Sequence, residues 1–312
     1  MNMNSRQARV VDPILSTHAL GYRQVGLIGR RLFPIAPVGT YGGQVIEFGK
    51  EAFRLLNTKR APGSATRRVD FGYAGKPYVI IPSGLEAKVP RELMRDATQV
   101  PGIDLATRAV NLVLRVTSLS HEAECAQIAL NAANYDNDHK VKLAGADRWT
   151  SPDSDPTGDV ETAKEAIADS IGLEPNRLMI SRKALAAVKA HPKIIERFKY
   201  TSAQAITIQM LQQLWDIEEI VVGNARAVTG ASDAFTDVWR TAVWLGYVSG
   251  NEVANAEEPS FGYTYQIEGH PAVEAPYWDD NAKSWIYGVS DDNAPVLSGM
   301  AAGYLIEDAG AK

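Results

Sequence analysis

From Leu105 onward, apolar side chains recur at Ala109, Leu112, Val116, Leu119, Ala123, Ala126, Leu130 and Ala133, in alternating steps of four and three. That cadence is one face of an α-helix, and Asp104 stands where an N-cap belongs. The spacing predicts a single helix from about Asp104 to about Tyr135, a rod of roughly 45 Å at about 1.5 Å per residue. Ala at four of the nine seam positions would make a thin coiled coil. The pattern therefore points to a spine packed closely against a sheet.

The first ninety residues have a different texture. Residues 1–43 are short apolar pieces broken by Pro13, Gly21, Gly26, Gly29, Pro34, Pro37, Gly39, Gly42 and Gly43. Such punctuation excludes a long helix and predicts an extended arm with turns. A strand-like run follows at Gln44–Phe48, then a basic tip from Lys50 to Arg68, then strand-like runs at Val69–Tyr73 and Tyr78–Pro82. Alternation around a polar tip predicts a long β-hairpin. A two-stranded hairpin is marginal alone in water, so this one must lie on its own chain or on a neighbour.

Residues 136–158 form a polar stretch rich in Asp, Gly and Pro, read as a loop, and Asp159 is predicted to cap a helix through about Ile171. From Leu173 the pattern becomes strand–helix–strand. It predicts strand Arg177–Ile180, a helix from Ser181 broken at His191-Pro192, helix Thr207–Trp215, and strands Glu219–Val222 and Ala242–Val248. Short connections between alternating elements predict a small α/β layer domain. After about Glu257 aromatic strands return, at Phe261–Ile267, Ala272–Trp278, Trp285–Tyr287 and Tyr304–Ile306.

Charge adds a polarity that the hydrophobic pattern lacks. Residues 1–76 carry a net +8, residues 77–251 a net −4 and residues 252–312 a net −9, within a total of −5 over 312 residues. A basic head and an acidic tail suit head-to-tail association with copies of the same chain, or a basic arm lying on an anion. The single cysteine, Cys125, excludes an internal disulfide and sits without a basic neighbour within a turn, so it is expected to be a small buried hydrophobe. No apolar run approaches the ~18 residues that span a bilayer, and the N-terminus leads into no secretory h-region. These features predict a protein made and used in a cytoplasm.

The candidate chemistry is sparse. Asp153-Ser154-Asp155-Pro156-Thr157-Gly158-Asp159 starts like a calcium loop, but Lys164 stands where a bidentate Glu is needed, so it reads as an Asp-rich turn entering a helix. His121-Glu122-Ala123-Glu124-Cys125 lacks the second histidine of a zinc helix. Asp136, Asp138 and His139 follow a helix end and read as a solvated surface loop. Asp279 and Asp280 are adjacent, so on a strand they point to opposite faces. No phosphate cradle, nucleophile elbow or Ser/His/Asp set assembles. No cofactor or metal is expected, and the chain reads as a non-enzyme. The basic tip holds Lys50, Arg54, Lys59, Arg60, Arg67, Arg68 and Lys76 against Glu51 and Asp70, with one aromatic ring, Phe53. Phosphate binding is one use for it. Docking onto an acidic neighbour fits better, because a single ring is no stacking platform for nucleic-acid bases.

The order of these parts resembles the major capsid proteins of tailed bacteriophages, the Hong-Kong-97-type capsid fold. The likeness extends to the wording of Glu258-Pro259-Ser260-Phe261-Gly262-Tyr263-Thr264-Tyr265, of Gly269-His270-Pro271 with Glu274 and Pro276-Tyr277-Trp278-Asp279-Asp280, and of His191-Pro192-Lys193-Ile194-Ile195-Glu196-Arg197-Phe198-Lys199-Tyr200. The resemblance implies an α+β chain with an N-terminal arm at 1–40 and an extended hairpin loop at 41–90. It implies a peripheral domain with the spine helix at 91–171, an α/β axial domain at 172–256, and return strands of the peripheral domain at 257–312.

It also implies a function: self-assembly, through pentamers and hexamers, into an icosahedral shell enclosing phage double-stranded DNA. The subunit would end in the virion after assembly in the bacterial host cytoplasm, with a portal, where present a decoration protein, and no membrane. Only about forty residues precede the hairpin, which implies a separate scaffolding protein. The expected inter-subunit contact joins hairpin residues Arg54, Lys59, Arg60, Arg67 and Arg68 to an acidic counter-surface of Glu257, Glu258, Glu274, Asp279 and Asp280. Lys50, Lys59 and Lys76 lie in the hairpin, but no Asn partner is identifiable, so no covalent cross-link is expected. Two other readings are an encapsulin-like compartment shell and a basic-arm nucleic-acid-binding oligomer.

Overall fold

A computed structural model describes residues 11–22, 24–45, 59, 75–97, 104–199, 205–228, 233–250 and 260–312. Along the chain, helices α1 (Pro13–Gly21) and α2 (Gly29–Leu32) precede strands β1 (Ile35–Val38), β2 (Gly42–Val45), β3 (Lys76–Val79) and β4 (Gly84–Pro90). Helices α3 (Arg91–Ala97) and α4 (Leu105–Ala129), strand β5 (Lys140–Lys142) and helix α5 (Pro156–Ile171) follow. Next come β6 (Arg177–Ser181), α6 (Arg182–Ala190), α7 (Pro192–Arg197), α8 (Ile208–Trp215), β7 (Glu219–Gly223), β8 (Arg226–Val228), β9 (Phe235–Asp237) and β10 (Val243–Gly246). The chain closes with β11 (Gly262–Ile267), β12 (Ala272–Val273), β13 (Tyr277–Asp279), β14 (Ser284–Ser290), β15 (Asn293–Leu297) and β16 (Gly303–Glu307). Among the described residues no helix is long and apolar enough to cross a membrane.

The helices start where local chemistry says they should. Asp104 caps α4 by accepting from the Ala106 N–H at 3.0 Å, Ser181 caps α6, and Pro192 occupies the first turn of α7. At α5 the reading needs correction. The helix begins at Pro156, and Asp159 lies inside its first turn, where its carboxylate accepts the Trp149 indole N–H at 2.7 Å. Residues 11–43 are also more structured than an extended arm. Asp12 accepts from the N–H groups of Ile14 and Leu15 and nucleates α1, and α1 buries Ala19 beside the N-terminal half of α4.

The spine helix spans 25 residues, about 37 Å, and ends at Ala129 rather than near Tyr135. Its buried face keeps Ala109 and Ala126 of the predicted seam but is otherwise rotated from it. Ala109, Val110, Val113, Leu114, His121, Glu122, Cys125, Ala126 and Ala129 face inward, while Leu112 and Val116 are 59 % and 46 % exposed. One half of α4 packs on β4 and β14, the other on the aromatic cluster of Phe33, Tyr135, Trp244 and Phe261. The helix therefore bridges two cores.

One core belongs to a five-stranded sheet of order β5-β16-β10-β6-β7. On one face, α5 to α8 cover Leu178, Ile180, Val243, Leu245 and Ile306; on the other lie Met179, Trp244 and Leu305 with the end of the spine. The stretch 136–158 is not a simple loop, since β5 pairs in parallel with β16 and Trp149 is fully buried. His139 is likewise buried rather than solvated, with Nδ1 2.7 Å from the Asp136 carboxylate. The last strand, β16, lies in this sheet between β5 and β10 and not with the aromatic return strands.

The remaining strands build two further sheets. In one, β14 pairs with β4 along one edge and with β12 and β13 end to end along the other. In the other, β11 lies between β1 and β15. The hairpin base, β2 against β3 with Gly42 opposite Val79, is buried on this last sheet through Val45, Tyr78 and Ile80. Gly43 is required there, because a Cβ at that position would sit 2.8 Å from the Tyr78 ring.

Candidate functional site

The association surfaces expected from the sequence are the hairpin and the acidic end of the chain. Only the base of the predicted hairpin falls within the described residues, while positions 46–48 of its first run and the whole run Val69–Tyr73 lie outside them. Arg54, Arg60, Arg67 and Arg68 lie outside the described residues, as do Glu257 and Glu258. Lys59 is exposed to solvent.

The base is held rigidly. Tyr78 stacks on Tyr265 with ring centroids 4.1 Å apart and planes 4° from parallel, and burial pushes the Tyr265 phenol up to about 12. Beside this stack, the buried Asp291-Asp292 pair clasps both chain entries to the hairpin. The Tyr41 hydroxyl donates to Asp292 Oδ2 at 2.8 Å, and the Ser83 N–H to Asp292 Oδ1 at 3.0 Å. Ser83 Oγ donates to the Asp291 carbonyl at 2.6 Å, and the Asp291 N–H to the Ser83 carbonyl at 3.0 Å. Asp292→Ala is expected to lower subunit stability by about 1 kcal/mol, since it removes the acceptor of the Ser83 N–H and the Tyr41 hydroxyl, both within reach of water. Asp292→Asn, which keeps an acceptor, should lose less; urea unfolding midpoints of the two variants check this ordering.

Three of the predicted carboxylates are described. Glu274 lies between β12 and β13, its N–H bonded to the Gly288 carbonyl at 2.9 Å. Asp279 turns the chain from β13 to β14, accepting from the N–H groups of Asn281 at 2.8 Å and Ala282 at 3.3 Å. Asp280 points outward, its side chain 85 % exposed and 3.8 Å from Lys283. Glu274 and Asp279 share a surface through Tyr277, which is half exposed. The Tyr277 phenol is held above its usual range by burial, by its hydrogen bond to Glu86 at 3.2 Å, and by the charges of Glu86, Asp279 and Glu274. Glu86 is thus a fourth carboxylate of this surface. It went unnoticed in the sequence because only the pairing of β4 with β14 sets it opposite Gly288, beside Glu274.

A second exposed surface is apolar. Val79 and Ile81, 69 % and 74 % exposed, line an open groove of about 650 Å³ with Leu85 and with Val116 of the spine. His121, Glu124 and Asp291 also line the groove, and no metal-ligating cluster occurs among the described residues. Cys125 is fully buried and burial raises its thiol well above the usual value, which matches the inert role expected of it.

Beneath these surfaces one buried carboxylate ties three segments together. Glu122 of α4, 1 % exposed, accepts the Ile28 N–H at 3.0 Å, the Gly29 N–H, and the Trp239 indole N–H at 2.7 Å. Burial raises its pKa, opposed by those three donors. Gly29 must be glycine here, as a Cβ would lie 2.8 Å from Glu122 Oε2. At the preceding residue, His121 Nε2 lies 3.0 Å from Thr264 Oγ1, whose own hydrogen goes to the Phe33 carbonyl at 3.1 Å. Nε2 is therefore the donor, and the imidazole is neutral. Burial, reinforced by Arg30, pushes its pKa down to about 3.

The comparisons with known proteins agree with this architecture. Residues 133–291 match the family model for phage major capsid protein E. The chain is 34 % identical to the major capsid protein of Burkholderia phage BcepMu over 301 residues, 96 % of each chain. It is similar, at 73 % identity and a TM-score of 0.86, to the crystal structure of a phage-related protein from Bordetella bronchiseptica RB50, covering 98 % of this chain and 100 % of that one. The putative capsid protein of a prophage of E. coli CFT073, 10 % identical with a TM-score of 0.58 over 98 % and 99 % of the two chains, shares the fold. A family model covering half of the chain, a relative alike over nearly its whole length, and an α+β fold shared with capsid subunits place the chain in the phage major capsid protein E family.

Proposed function

We propose that copies of this chain lock together by laying the basic hairpin of one subunit on the acidic strands of the next, closing a shell around double-stranded DNA. As a phage major capsid subunit the chain self-assembles into an icosahedral shell and is a component of the virion. The finer reading concerns how. Residues 41–90 act as the reaching element, residues 91–171 and 257–312 as the peripheral domain, residues 172–256 as the axial domain, and residues 1–40 as an arm beneath a neighbour. Assembly takes place in the host cytoplasm on a separate scaffolding protein, with a portal at one vertex and, where present, a decoration protein outside.

The observation that carries the reading is the mismatch between the hairpin's anchorage and its length. Four residues on each side form the clasped base, anchored by the buried Val45 and Tyr78, and thirty residues run between them at positions 46–75. That segment carries Arg54, Lys59, Arg60, Arg67 and Arg68, and the tail strands carry the opposite charge. Charge complementarity between two patches of one molecule favours head-to-tail contact between copies.

Negative-stain microscopy of the purified chain, alone and with a scaffold, tests the proposal. Closed particles are expected from the unaltered chain, and their loss from the double variant Arg67→Glu/Arg68→Glu. Particles that persist in this variant but lose bound DNA would favour the basic-arm nucleic-acid reading of the hairpin. Particles filled with an enzyme and free of DNA would favour a compartment shell. Monomers under every salt condition, with and without scaffold, would sink the assembly reading altogether.

A further inference from the structure

The sheet built on β14 has one open edge. β4 covers one side of β14, and β12 and β13 follow one another along the other. Beyond β12 and β13, the pairing among the described residues is an antiparallel bridge of Val11 with Glu274. An uncovered strand edge offers its backbone groups to other chains. The bridge brings this chain's own arm to it. The Asp12 N–H donates to the Val273 carbonyl at 2.9 Å, and Asp12 then caps α1. The residues before Val11 therefore lead away from α1 toward Ala275 and β13.

That bridge sets a register. The bond from Asp12 to Val273 makes Val11 and Glu274 a narrow, non-hydrogen-bonded pair. Continued, the ladder sets Val10 opposite Ala275 in a hydrogen-bonded pair and Arg9 opposite Pro276 in the next narrow one. A narrow position asks no N–H of Pro276, which has none. Alternation puts Arg9 and Gln7 on the face of Val11, with Val10 and Ala8 on the other. The sheet has the matching two faces. Val273 and Tyr287 face the core beneath the spine. Glu274, Glu86 and Tyr277 lie on the outer face, where the Glu274 carboxylate covers Gly288 and the Tyr277 hydroxyl donates to Glu86. Among the described residues no lysine or arginine, Lys88 included, is within ion-pair distance of Glu86, Glu274 or Asp279. Residues 1–10 bring Arg6 and Arg9 and no carboxylate.

We propose that in a lone subunit Gln7–Val10 add a strand to the open edge along Ala275–Trp278, with Arg9 over Glu274 and Glu86, and that this strand masks the acidic surface until a neighbour arrives. It is β-augmentation by the chain's own arm. The strand covers an edge that would otherwise invite aggregation and neutralises the surface on which a neighbour's basic hairpin is to land. The masking step rests on the hairpin reading and gives it an order of events. The arm leaves the edge, the hairpin docks, and the released arm passes beneath a neighbour.

A cysteine pair tests the register. Cys125 is fully buried, so Arg9→Cys/Pro276→Cys supplies the reactive thiols, in a narrow pair whose Cα separation of about 4.5 Å suits a disulfide. Val11→Cys/Glu274→Cys, across the observed bridge, is the control. In dispersed subunits, oxidation should close the Arg9/Pro276 pair within one chain, consuming both thiols at monomer mass on a non-reducing gel. The oxidised protein should then assemble at least about tenfold less than the same protein after reduction, while the control assembles equally in both states. Hydrogen exchange gives a readout free of cysteines: the Ala275 amide should be protected in the unaltered subunit and lose protection when residues 1–10 are deleted. The proposal falls if the Arg9/Pro276 pair or the control stays open, or if Ala275 exchanges alike with and without those residues. Disulfide-linked dimers overturn it too, by assigning the edge to a second copy's arm. A locked subunit that assembles as well as the reduced one removes the masking role. Failure of the unaltered chain to assemble would instead strike the hairpin reading, and the cross-link would still decide the edge strand.

Discussion

Replacing Glu122 with alanine is expected to destabilise the subunit by at least about 3 kcal/mol, enough to leave little folded chain to assemble. The carboxylate serves three donors from two distant segments, Ile28 and Gly29 at the start of α2 and the Trp239 indole. Removing it leaves all three buried without a partner, each at a cost of about 1–3 kcal/mol, in a protein whose whole stability is expected to lie near 5–15 kcal/mol. Glu122→Gln should be intermediate, since its amide keeps one acceptor but turns a donor toward other donors. Urea unfolding of the purified subunit gives the order wild type, Gln, Ala in falling midpoint. An alanine variant with an unchanged midpoint would mean that the knot carries no net stability.

Acidification should weaken the subunit through the adjacent residue. The His121 imidazole is neutral in the fold with its pKa pushed down to about 3, against about 6.5 in an unfolded chain. As pH falls below about 6.5 the unfolded state takes up a proton that the folded state refuses, so stability is lost progressively down to about pH 3. Between pH 7 and pH 4 the loss is on the order of 3 kcal/mol. Glu122 works in the opposite sense, because its pKa is raised in the fold and its unfavourable ionisation is relieved as the solution becomes more acidic. The difference between wild type and His121→Gln isolates the imidazole. Glutamine keeps a donor for Thr264 but does not titrate, and its stability should fall less steeply over this range. Parallel pH curves for the two proteins would remove His121 from the account.

These two residues also mark where the sequence could be read and where it could not. The existence of the spine helix was legible from a cap and a 3.6-residue rhythm, because those are local signals. Its inward face was legible only in part, at Ala109 and Ala126. A helix with apolar residues at most positions admits more than one seam, and the true one contains His121 and Glu122, which polarity argues against burying. They are buried because partners from residues 28, 29, 239 and 264 satisfy them, and no local pattern announces partners that distant. Strands β6 and β7 were legible for the opposite reason. They are short apolar runs between helices, covered on both faces. Of the hairpin only the base can be compared, and there Gly42–Val45 pairs with Lys76–Val79 while Gly43 admits the Tyr78 ring. Of the acidic surface, charge counting found Glu274, Asp279 and Asp280, while Glu86 needed the register of β4 on β14.

The position of β16 bears on how such a chain is made. Residues 303–307 fill the slot between β5 and β10, and pair Leu305 with both Lys140 and Trp244. Until residue 307 has left the ribosome, β10 keeps an open edge and β5 has no strand to join. Translation thus delivers the spine and α5 to α8 before the sheet they cover can seal. A nascent or truncated chain stopped before Gly303 would expose that unpaired edge and hold its helices without a finished floor. Completion of the five-stranded sheet is thus tied to the last stretch of synthesis.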